Sequence, residues 1–227
     1  MTTTLVTGAT RGLGRETARQ LVAAGHTVYV GARDDARGRA TAEELGARVV
    51  ALDVTDDASV AAAFARIEAD GGLDVLVNNA GIALLARNGP DALAVFDTNA
   101  VGIVRVTEAA LPLLRASANP VIVNVSSALG SFHANHDPDR PASGVSAIAY
   151  GASKAAVSML TVQYARALPD VLVNAVEPGY TATELGGHDN SHGRPVEVSA
   201  RTVVAMATIG SDGPTGTFQE DDGQLGW

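Results

Sequence analysis

The sequence predicts an α/β fold in which helices cover both faces of one doubly wound parallel sheet. Short runs of β-branched residues alternate along the chain with longer Ala- and Leu-rich stretches of helical periodicity. The short runs are apolar throughout, which is typical of strands buried on both faces of a parallel sheet. Ligands of such folds bind outside the carboxyl ends of the strands. No repeat or long linker interrupts the alternation, so we expect one domain over residues 1–227.

The alternation predicts six strands, over residues 5–7, 27–30, 49–52, 75–77, 121–125 and 172–176. It predicts helices over residues 15–24, 59–69, 92–116 and 149–167, the first of them followed by Gly25 as a C-cap glycine. Residues 132–148 and 186–195 are polar and are expected to be substrate-covering loops. Residues 215–218 form a candidate last strand.

Composition restricts the classes of function. The formal net charge of -9 argues against general nucleic-acid binding, because affinity for phosphates comes from clustered Lys and Arg. The absence of cysteine excludes disulfides and thiolate catalysis. The chain shows neither a secretory signal pattern nor an apolar run that could cross a bilayer, so we expect a cytoplasmic protein without membrane contact. We expect no metal: the polar cluster of residues 132–148 lacks ligand spacing, its members being His133, His136, Asp137 and Asp139.

Three glycines follow the first expected strand and open the first helix: Gly8, Gly12 and Gly14. Such glycines allow the backbone to turn tightly and approach a pyrophosphate, which then rests on the helix N-terminus. The GxxxGxG spacing differs from the common GxGxxG fingerprint, so a purely structural turn remains an alternative.

The end of the second strand indicates which dinucleotide binds. Arg33 stands at the strand tip and Arg11 inside the glycine turn, and two guanidiniums suit the 2′-phosphate of NADP(H). Asp34 leaves NAD as the alternative, since an acid at this place binds ribose hydroxyls. Asp53 ends the third strand, where it either accepts from the adenine amino group or caps a turn. Residues 78–81, Asn-Asn-Ala-Gly, suit a backbone that bends around a ligand or a plain turn.

Tyr150 and Lys154 are four residues apart on an expected helix, so their side chains share a face. A free tyrosine titrates near pH 10, and a neighbouring ammonium stabilises the phenolate. We therefore expect Lys154 to lower the pKa of Tyr150 and to hold ribose hydroxyls. An ordinary amphipathic pair has the same spacing.

Ser126 and Ser127 end the fifth strand, where a hydroxyl can hydrogen-bond a substrate carbonyl or simply cap the strand. Asn99 lies inside a long expected helix, where a buried asparagine could position a water beside Lys154. No nucleophile elbow with an acid and a histidine surrounds the serines, which disfavours acyl-transfer hydrolysis.

Together these segments resemble the short-chain dehydrogenase/reductase family over essentially the whole chain, and especially its NADPH-dependent carbonyl reductase branch. The segments that carry the resemblance are residues 7–14, 31–34, 78–81, 126–127, 150–154 and 178–179, with Asn99. The resemblance implies a Rossmann fold. It also implies that Ser127 polarises a carbonyl, that Tyr150 transfers the proton, that Lys154 lowers the pKa of that tyrosine and that Asn99 holds the water of a proton relay.

The resemblance further implies NADPH/NADP+ as cofactor, with Pro178, Gly179 and Thr183 beside the nicotinamide. The full set of expected cofactor contacts is Gly8, Thr10, Arg11, Gly12, Leu13, Gly14, Arg33, Asp53, Val54, Asn79, Ala80, Gly81, Tyr150, Lys154, Pro178, Gly179 and Thr183.

The expected activity is hydride transfer between NADP(H) and a small ketone, aldehyde or alcohol. A non-catalytic NADP(H) sensor or scaffold is the alternative from another class, but a sensor has no need of Ser127, Tyr150 and Lys154. A sugar-nucleotide epimerase or dehydratase would need a longer substrate domain than 227 residues allow. Substrate choice is expected to lie in residues 84–88, 132–148 and 183–195, and the oligomeric state is left open between monomer and homo-oligomer.

Overall fold

In the computed structural model, which describes residues 1–84, 88–187 and 191–227, the strands form one sheet in the order β3-β2-β1-β4-β5-β6-β7-β8. All neighbouring strands are parallel except β7 and β8. Within the described ranges the strands are β1 (Thr3–Thr7), β2 (Thr27–Ala32), β3 (Arg48–Ala51), β4 (Val75–Asn78), β5 (Val121–Val125), β6 (Leu172–Val176), β7 (Phe218–Glu220) and β8 (Gly223–Gln224). Because the chain returns to the middle of the sheet between β3 and β4, the fold is doubly wound, as the sequence predicts.

Helices pack on both faces of this sheet. The helices of the described ranges are α1 (Gly12–Ala23), α2 (Asp35–Leu45), α3 (Asp57–Ala69), α4 (Gly89–Phe96), α5 (Gly102–Leu114), α6 (Phe132–His136), α7 (Ile148–Ala167) and α8 (Val196–Ala207). The first, second and eighth helices cover one face, and α3, α5 and α7 cover the other. Every helix of these ranges is too short or too polar to cross a bilayer.

Successive residues of the central strands show why their sequence is apolar throughout. Leu5 packs in the core under α3 and α5, whereas Val6 packs in the core under α1 and α8. Leu76 and Val77 of β4 repeat this arrangement. All four side chains are fully buried, and burial of each stabilises the fold by about 1.5–3 kcal/mol.

A chain of buried polar side chains joins β4, β5 and α7. Asn78 donates through Nδ2 to Asn124 Oδ1 at 2.9 Å, and Asn124 donates in turn to Thr161 Oγ1 at 2.9 Å. Asn78 also reaches Thr107 Oγ1 of α5 at 3.2 Å. Because buried polar groups are costly unless they are paired, these bonds fix one register of α7 against the sheet.

Two helices are absent from the sequence prediction. The first is α2, whose residues are rich in charge and lack an apolar stripe, but whose ends carry readable signals. The Asp34 side chain accepts from Arg37 N at 3.1 Å as an N-cap, and Gly46 follows the helix with φ +66°. The second is α8, which begins directly after Pro195 and buries Val203 and Met206.

Three further expectations are corrected. The long helix expected over residues 92–116 is α4 and α5 joined by a π-helical turn, Asp97–Val101. The loop expected over residues 132–148 contains α6 and a 3-10 turn, Pro141–Gly144. The strand expected over residues 215–218 is β7, which begins only at Phe218, and a short strand, β8, follows it.

Residues 85–87 and 188–190, which belong to two of the segments expected to determine substrate choice, lie outside the described residues.

Gly130 is required by the close approach of α7 to the turn after β5, and its replacement tests that contact. A Cβ at Gly130 would lie 2.4 Å from the carbonyl carbon of Lys154 and 2.6 Å from Ala155 N. We expect Gly130→Ala to lower the free energy of unfolding by about 1–3 kcal/mol, because backbone atoms must move. Gly144→Ala is the control, since a Cβ there meets nothing within 4 Å. Equal denaturant midpoints for the two variants would contradict this packing.

Candidate active site

The carboxyl ends of β1, β4, β5 and β6 lie side by side at one edge of the sheet, because these strands are parallel neighbours. The segments that follow them are the glycine turn, residues 79–81, Ser126 with Ser127, and residues 177–179. The sequence motifs therefore meet at one place, although the chain separates them widely.

The glycine turn is shaped by contacts that only glycine permits. Gly8 has φ +64°, and a Cβ there would lie 2.9 Å from Ala80 Cα. A Cβ at Gly14 would lie 2.3 Å from Asn79 Nδ2. After this turn α1 begins at Gly12 without a side-chain cap and without an acidic residue in its first turn. The N-terminus of α1 is uncapped and follows a turn of closely packed glycines. Such an arrangement can bind a pyrophosphate.

Thr10 and Leu13 belong to the same turn, and both are partly exposed. Thr183, which follows β6, reaches this turn: its Cγ2 lies 3.3 Å from the position of a Cβ on Gly12. Exposed Arg11 pairs with Glu184 at 3.0 Å. The structure therefore brings Thr183 beside the turn.

Asn79 holds the shape of this turn. Its amide Nδ2 donates to Thr7 O at 2.8 Å and to Gly8 O at 3.3 Å. The hydroxyl of Thr7 accepts from Asn79 N and Ala80 N, both at 2.9 Å. These bonds tie the end of β1 to the end of β4 and leave Ala80 and Gly81 partly exposed at the edge.

The end of β2 carries an exposed arginine and an acid that is engaged in capping. Arg33 is exposed, whereas Asp34 caps α2, so its carboxylate is occupied as the N-cap. Asp53 accepts from Thr55 N at 3.0 Å and from Thr55 Oγ1 at 2.7 Å, which is the turn-capping role. Burial raises the pKa of Asp53, but the bonds from Thr55 and the charge of Arg33 lower it more. Val54 is buried against Gly102.

Tyr150 lies in the first turn of α7, and Lys154 lies one turn further along the same helix. Lys154 Nζ is 5.7 Å from the centre of the Tyr150 ring and donates to Val125 O at 2.7 Å. The lysine side chain is only 4% exposed, and this burial lowers its pKa to about 8 against the opposing charge of Glu177.

The pKa of Tyr150 is raised in this structure, whereas the sequence predicts that Lys154 lowers it. Burial raises the pKa of Tyr150 above its ordinary value, and the negative charge of Glu177 raises it further. A side-chain hydrogen bond with Ser127 acts in the opposite direction and is the weaker effect. Desolvation of the phenolate therefore wins, and the phenol is protonated at neutral pH.

The two serines that end β5 have different surroundings. Ser126 is buried, donates to Lys154 O at 3.1 Å and lies 3.2 Å from Ser158 Oγ, which is a structural arrangement. Ser127 is partly exposed and lowers the pKa of Tyr150, and its Oγ accepts from Leu129 N at 3.2 Å. These contacts favour Ser127 as the serine that faces a substrate.

Asn99 is fully buried in the π-helical turn. Its Oδ1 accepts from Ile82 N at 2.8 Å, and its Nδ2 donates to Ile82 O at 2.9 Å and to Ser153 Oγ at 3.0 Å. Asn99 Oδ1 and Lys154 Nζ lie 3.3 and 3.7 Å from the position of a Cβ on Gly81. The structure thus places Asn99 near Lys154 and ties the segment after β4 to α7.

Sequence reasoning missed Glu177. This residue follows β6, is 9% exposed and accepts from Ala128 N and from Gly179 N, the latter at 2.8 Å. Pro178 beside it is buried, and Gly179 has φ +78°. The readable signal was an acid directly after a buried strand, where a charge is costly unless it is paired.

The segment between β5 and α7 is anchored to the end of the chain. Arg140 pairs with Glu220 through two bonds of 3.0 and 2.6 Å. His133 N donates to Trp227 O at 3.1 Å, and Ser131 Oγ donates to Gly226 O at 2.6 Å. In the described part of the chain no three His, Asp or Glu side chains come together as a metal site.

Comparison with known proteins identifies the family. The profile described as short chain dehydrogenase matches residues 2–193, so the chain belongs to the short-chain dehydrogenase family. Among curated relatives, carbonyl reductase [NADPH] 1 of Sus scrofa is 34% identical, covering 98% of this chain and 93% of the relative. The short-chain dehydrogenase AnuI of Penicillium roqueforti is also 34% identical, covering 91% of this chain and 88% of the relative.

Among solved structures, the NADPH-bound carbonyl reductase from chicken fatty liver superposes with a TM-score of 0.86 at 27% identity. The match covers 99% of this chain and 98% of that one. The expected family and the expected fold are therefore confirmed.

The buried ammonium gives a measurable pH dependence of stability. The pKa of Lys154 falls from 10.5 in ordinary surroundings to about 8 in the fold, so the unfolded chain binds more protons between these values. Stability then rises with pH in this window, by up to about 3 kcal/mol relative to a variant without the charge. We expect the free energy of unfolding of the wild type, minus that of Lys154→Met, to rise between pH about 8 and about 10. Urea titrations measure it, and a difference independent of pH would contradict the burial of this charge.

Proposed function

We propose that this protein is an NADP(H)-dependent carbonyl reductase, which transfers a hydride between the nicotinamide and a ketone, aldehyde or alcohol. The observation that carries the proposal is the convergence of Ser127, Tyr150 and Lys154 at the sheet edge that also holds the glycine turn. The NADPH named for the pig relative and for the chicken structure supports the cofactor. We further propose that residues 1–227 form a single Rossmann-type catalytic domain of the cytoplasm.

The residues present fit a dinucleotide. The uncapped start of α1 and the glycine turn would hold the pyrophosphate, with Thr10, Leu13 and Thr183 beside it. Arg33 and Arg11 would hold the 2′-phosphate, and Arg11 would give up its ion pair with Glu184 to do so. Capping engages the Asp34 carboxylate, which weakens the case for NAD. Asp53, Val54 and residues 79–81 would border the adenosine, and Pro178 and Gly179 the nicotinamide.

The bound dinucleotide would supply or accept the hydride. In reduction, the protonated phenol of Tyr150 would donate its proton to the carbonyl oxygen. The phenol is protonated at neutral pH, which is the form that this step requires. Ser127 would hydrogen-bond the same oxygen as negative charge develops on it. Lys154 donates once to Val125 O and has further N–H donors for the ribose hydroxyls.

Asn99 would hold a water near Lys154 and so connect the site to solvent. A purely cofactor-sensing protein would need neither a tyrosine with its phenol protonated nor a serine bonded to it, which is why catalysis is favoured over sensing.

The proton-donor role predicts the behaviour of Tyr150→Phe. We expect kcat for NADPH-dependent reduction to fall about 100-fold or more, since general acid catalysis contributes about 10²–10⁴-fold. Binding of NADPH, measured by fluorescence, should change little. Activity is measured as NADPH oxidation with the best substrate from a panel of ketones, aldehydes and quinones.

Tyr164→Phe is the matched control, because Tyr164 lies on the same helix and its hydroxyl bonds Glu108 at 2.9 Å, away from Ser127. Full activity of Tyr150→Phe would contradict the catalytic assignment.

The cofactor preference is tested at Arg33. A hydrogen bond to a charged group contributes about 1.5–3 kcal/mol, so Arg33→Ala should weaken NADPH binding roughly 10- to 100-fold and leave NADH binding unchanged. Arg39→Ala is the control, because this exposed arginine of α2 pairs with Asp35 at 2.7 Å. An unchanged ratio of the two dissociation constants in Arg33→Ala would show that the 2′-phosphate is not bound there.

A further inference from the structure

Glu177 is a buried acid whose two oxygens have separate partners. Oε2 accepts from Ala128 N, and Oε1 accepts from Gly179 N at 2.8 Å. An ionised carboxylate offers acceptors on both oxygens, whereas a glutamine amide would turn an N–H₂ group toward one of the two donors. The site therefore requires a carboxylate and is not satisfied by a merely polar side chain.

The two donors belong to the two loops that border the site. Ala128 follows Ser127 directly, and Gly179 closes the turn after β6. The backbone of β6 is held between its neighbours, since Ser126 N donates to Val176 O at 2.9 Å and Glu177 N donates to Gln219 O at 2.8 Å. One carboxylate on a fixed strand thus sets the position of both loops.

The charge of Glu177 also acts on the acid-base pair. It raises the pKa of Tyr150 and raises that of Lys154 against the effect of burial. The other charged groups that face Glu177 are Arg194, Glu220 and Arg140. Arg194 is engaged with Asp221 at 2.6 Å, and Arg140 pairs with Glu220. Both arginines are therefore already paired with acids, which leaves the charge of Glu177 effective toward α7.

We propose that Glu177 is a positioning residue of the proton-transfer site: it fixes the Ser127 loop against the Pro178–Gly179 turn, and its negative charge acts on Tyr150 and Lys154. This inference rests on the proposed carbonyl reductase function. It gives Glu177 two effects that different substitutions separate, one on geometry and one on charge.

The test is the pH dependence of kcat for alcohol oxidation, in which Tyr150 must be ionised. Removal of the negative charge makes the phenolate easier to form, so Glu177→Gln should move the rising limb of the profile to lower pH. We expect a shift of roughly half a pH unit, because a charge in direct contact shifts a pKa by about one to three units and Glu177 does not contact the phenol. The plateau value of kcat should fall as well, since one backbone N–H loses its acceptor.

Glu177→Asp keeps the charge on a shorter side chain. The rising limb of its pH profile should therefore stay in place, and its plateau value of kcat should fall. Glu220→Gln is the matched control: it removes one charge on the neighbouring strand, but Glu220 does not act on Tyr150. Its limb should coincide with that of the wild type.

If the rising limb of the pH profile for Glu177→Gln coincides with that of the wild type, the proposal is overturned, whatever the plateau value of kcat. If Glu177→Gln does not fold, Glu177→Asp decides, and either a shifted limb or an unchanged plateau in that variant would overturn it. If the wild type has no activity, the proposed function fails separately. The ionisation of Tyr150 is then followed by phenolate absorbance in the wild type and in Glu177→Gln. The absorbance of the same protein carrying Tyr150→Phe is subtracted in each case. Equal midpoints of the two Tyr150 titrations would overturn the proposal.

Discussion

Parallel strands leave backbone groups without a strand partner where they end, and in this protein side chains from neighbouring loops satisfy those groups. Asn79, after the end of β4, donates two hydrogen bonds to Thr7 at the end of β1. Lys154 donates to Val125 O at the end of β5, and Glu177 accepts from the N–H groups that follow β5 and β6. An unpaired buried backbone group costs about 1–3 kcal/mol. Each of these side chains is therefore held in place by its hydrogen bonds to the backbone at the strand ends. The same fixed side chains line the candidate active site.

This arrangement explains why the acid-base groups are perturbed. Side chains that satisfy a buried strand edge are removed from water, which disfavours their charged forms. Burial accordingly lowers the pKa of Lys154 and raises that of Glu177. The phenol of Tyr150 is protonated at neutral pH, the form that donates a proton in reduction. The sequence predicted a lowered pKa for this tyrosine, whereas burial raises it in this structure.

Much of the fold was readable because its strongest signals are local. The β-branched runs around Val121–Val125 and Leu172–Val176 predicted β5 and β6 with their observed bounds. The helix α2 was not predicted because the helices were identified by apolar periodicity, which α2 lacks. Its sequence signals are the caps, Asp34 and Gly46. The π-helical turn at Asn99 has no sequence period of its own, and it became visible only through the bonds to Ile82.

The motifs of the site could be predicted from the sequence, but the hydrogen-bond network that joins them could not. Ser127, Tyr150, Lys154 and the glycines carry recognisable spacing. Glu177 follows a strand as a single acid, and one of its two donors, Ala128 N, is nearly fifty residues away in the sequence. Tertiary contacts likewise favour Ser127 over Ser126 as the serine that faces a substrate, since Ser126 is buried and bonds α7, whereas Ser127 is partly exposed and acts on Tyr150.

The most direct test of proton donation by Tyr150 is a crystal structure with NADP+ and an alcohol product bound together. We expect the alcohol oxygen to lie about 2.6–3.2 Å from both the Tyr150 and the Ser127 hydroxyls, with its carbon against the nicotinamide. An alcohol oxygen held by other groups, with Tyr150 turned away from it, would contradict the account.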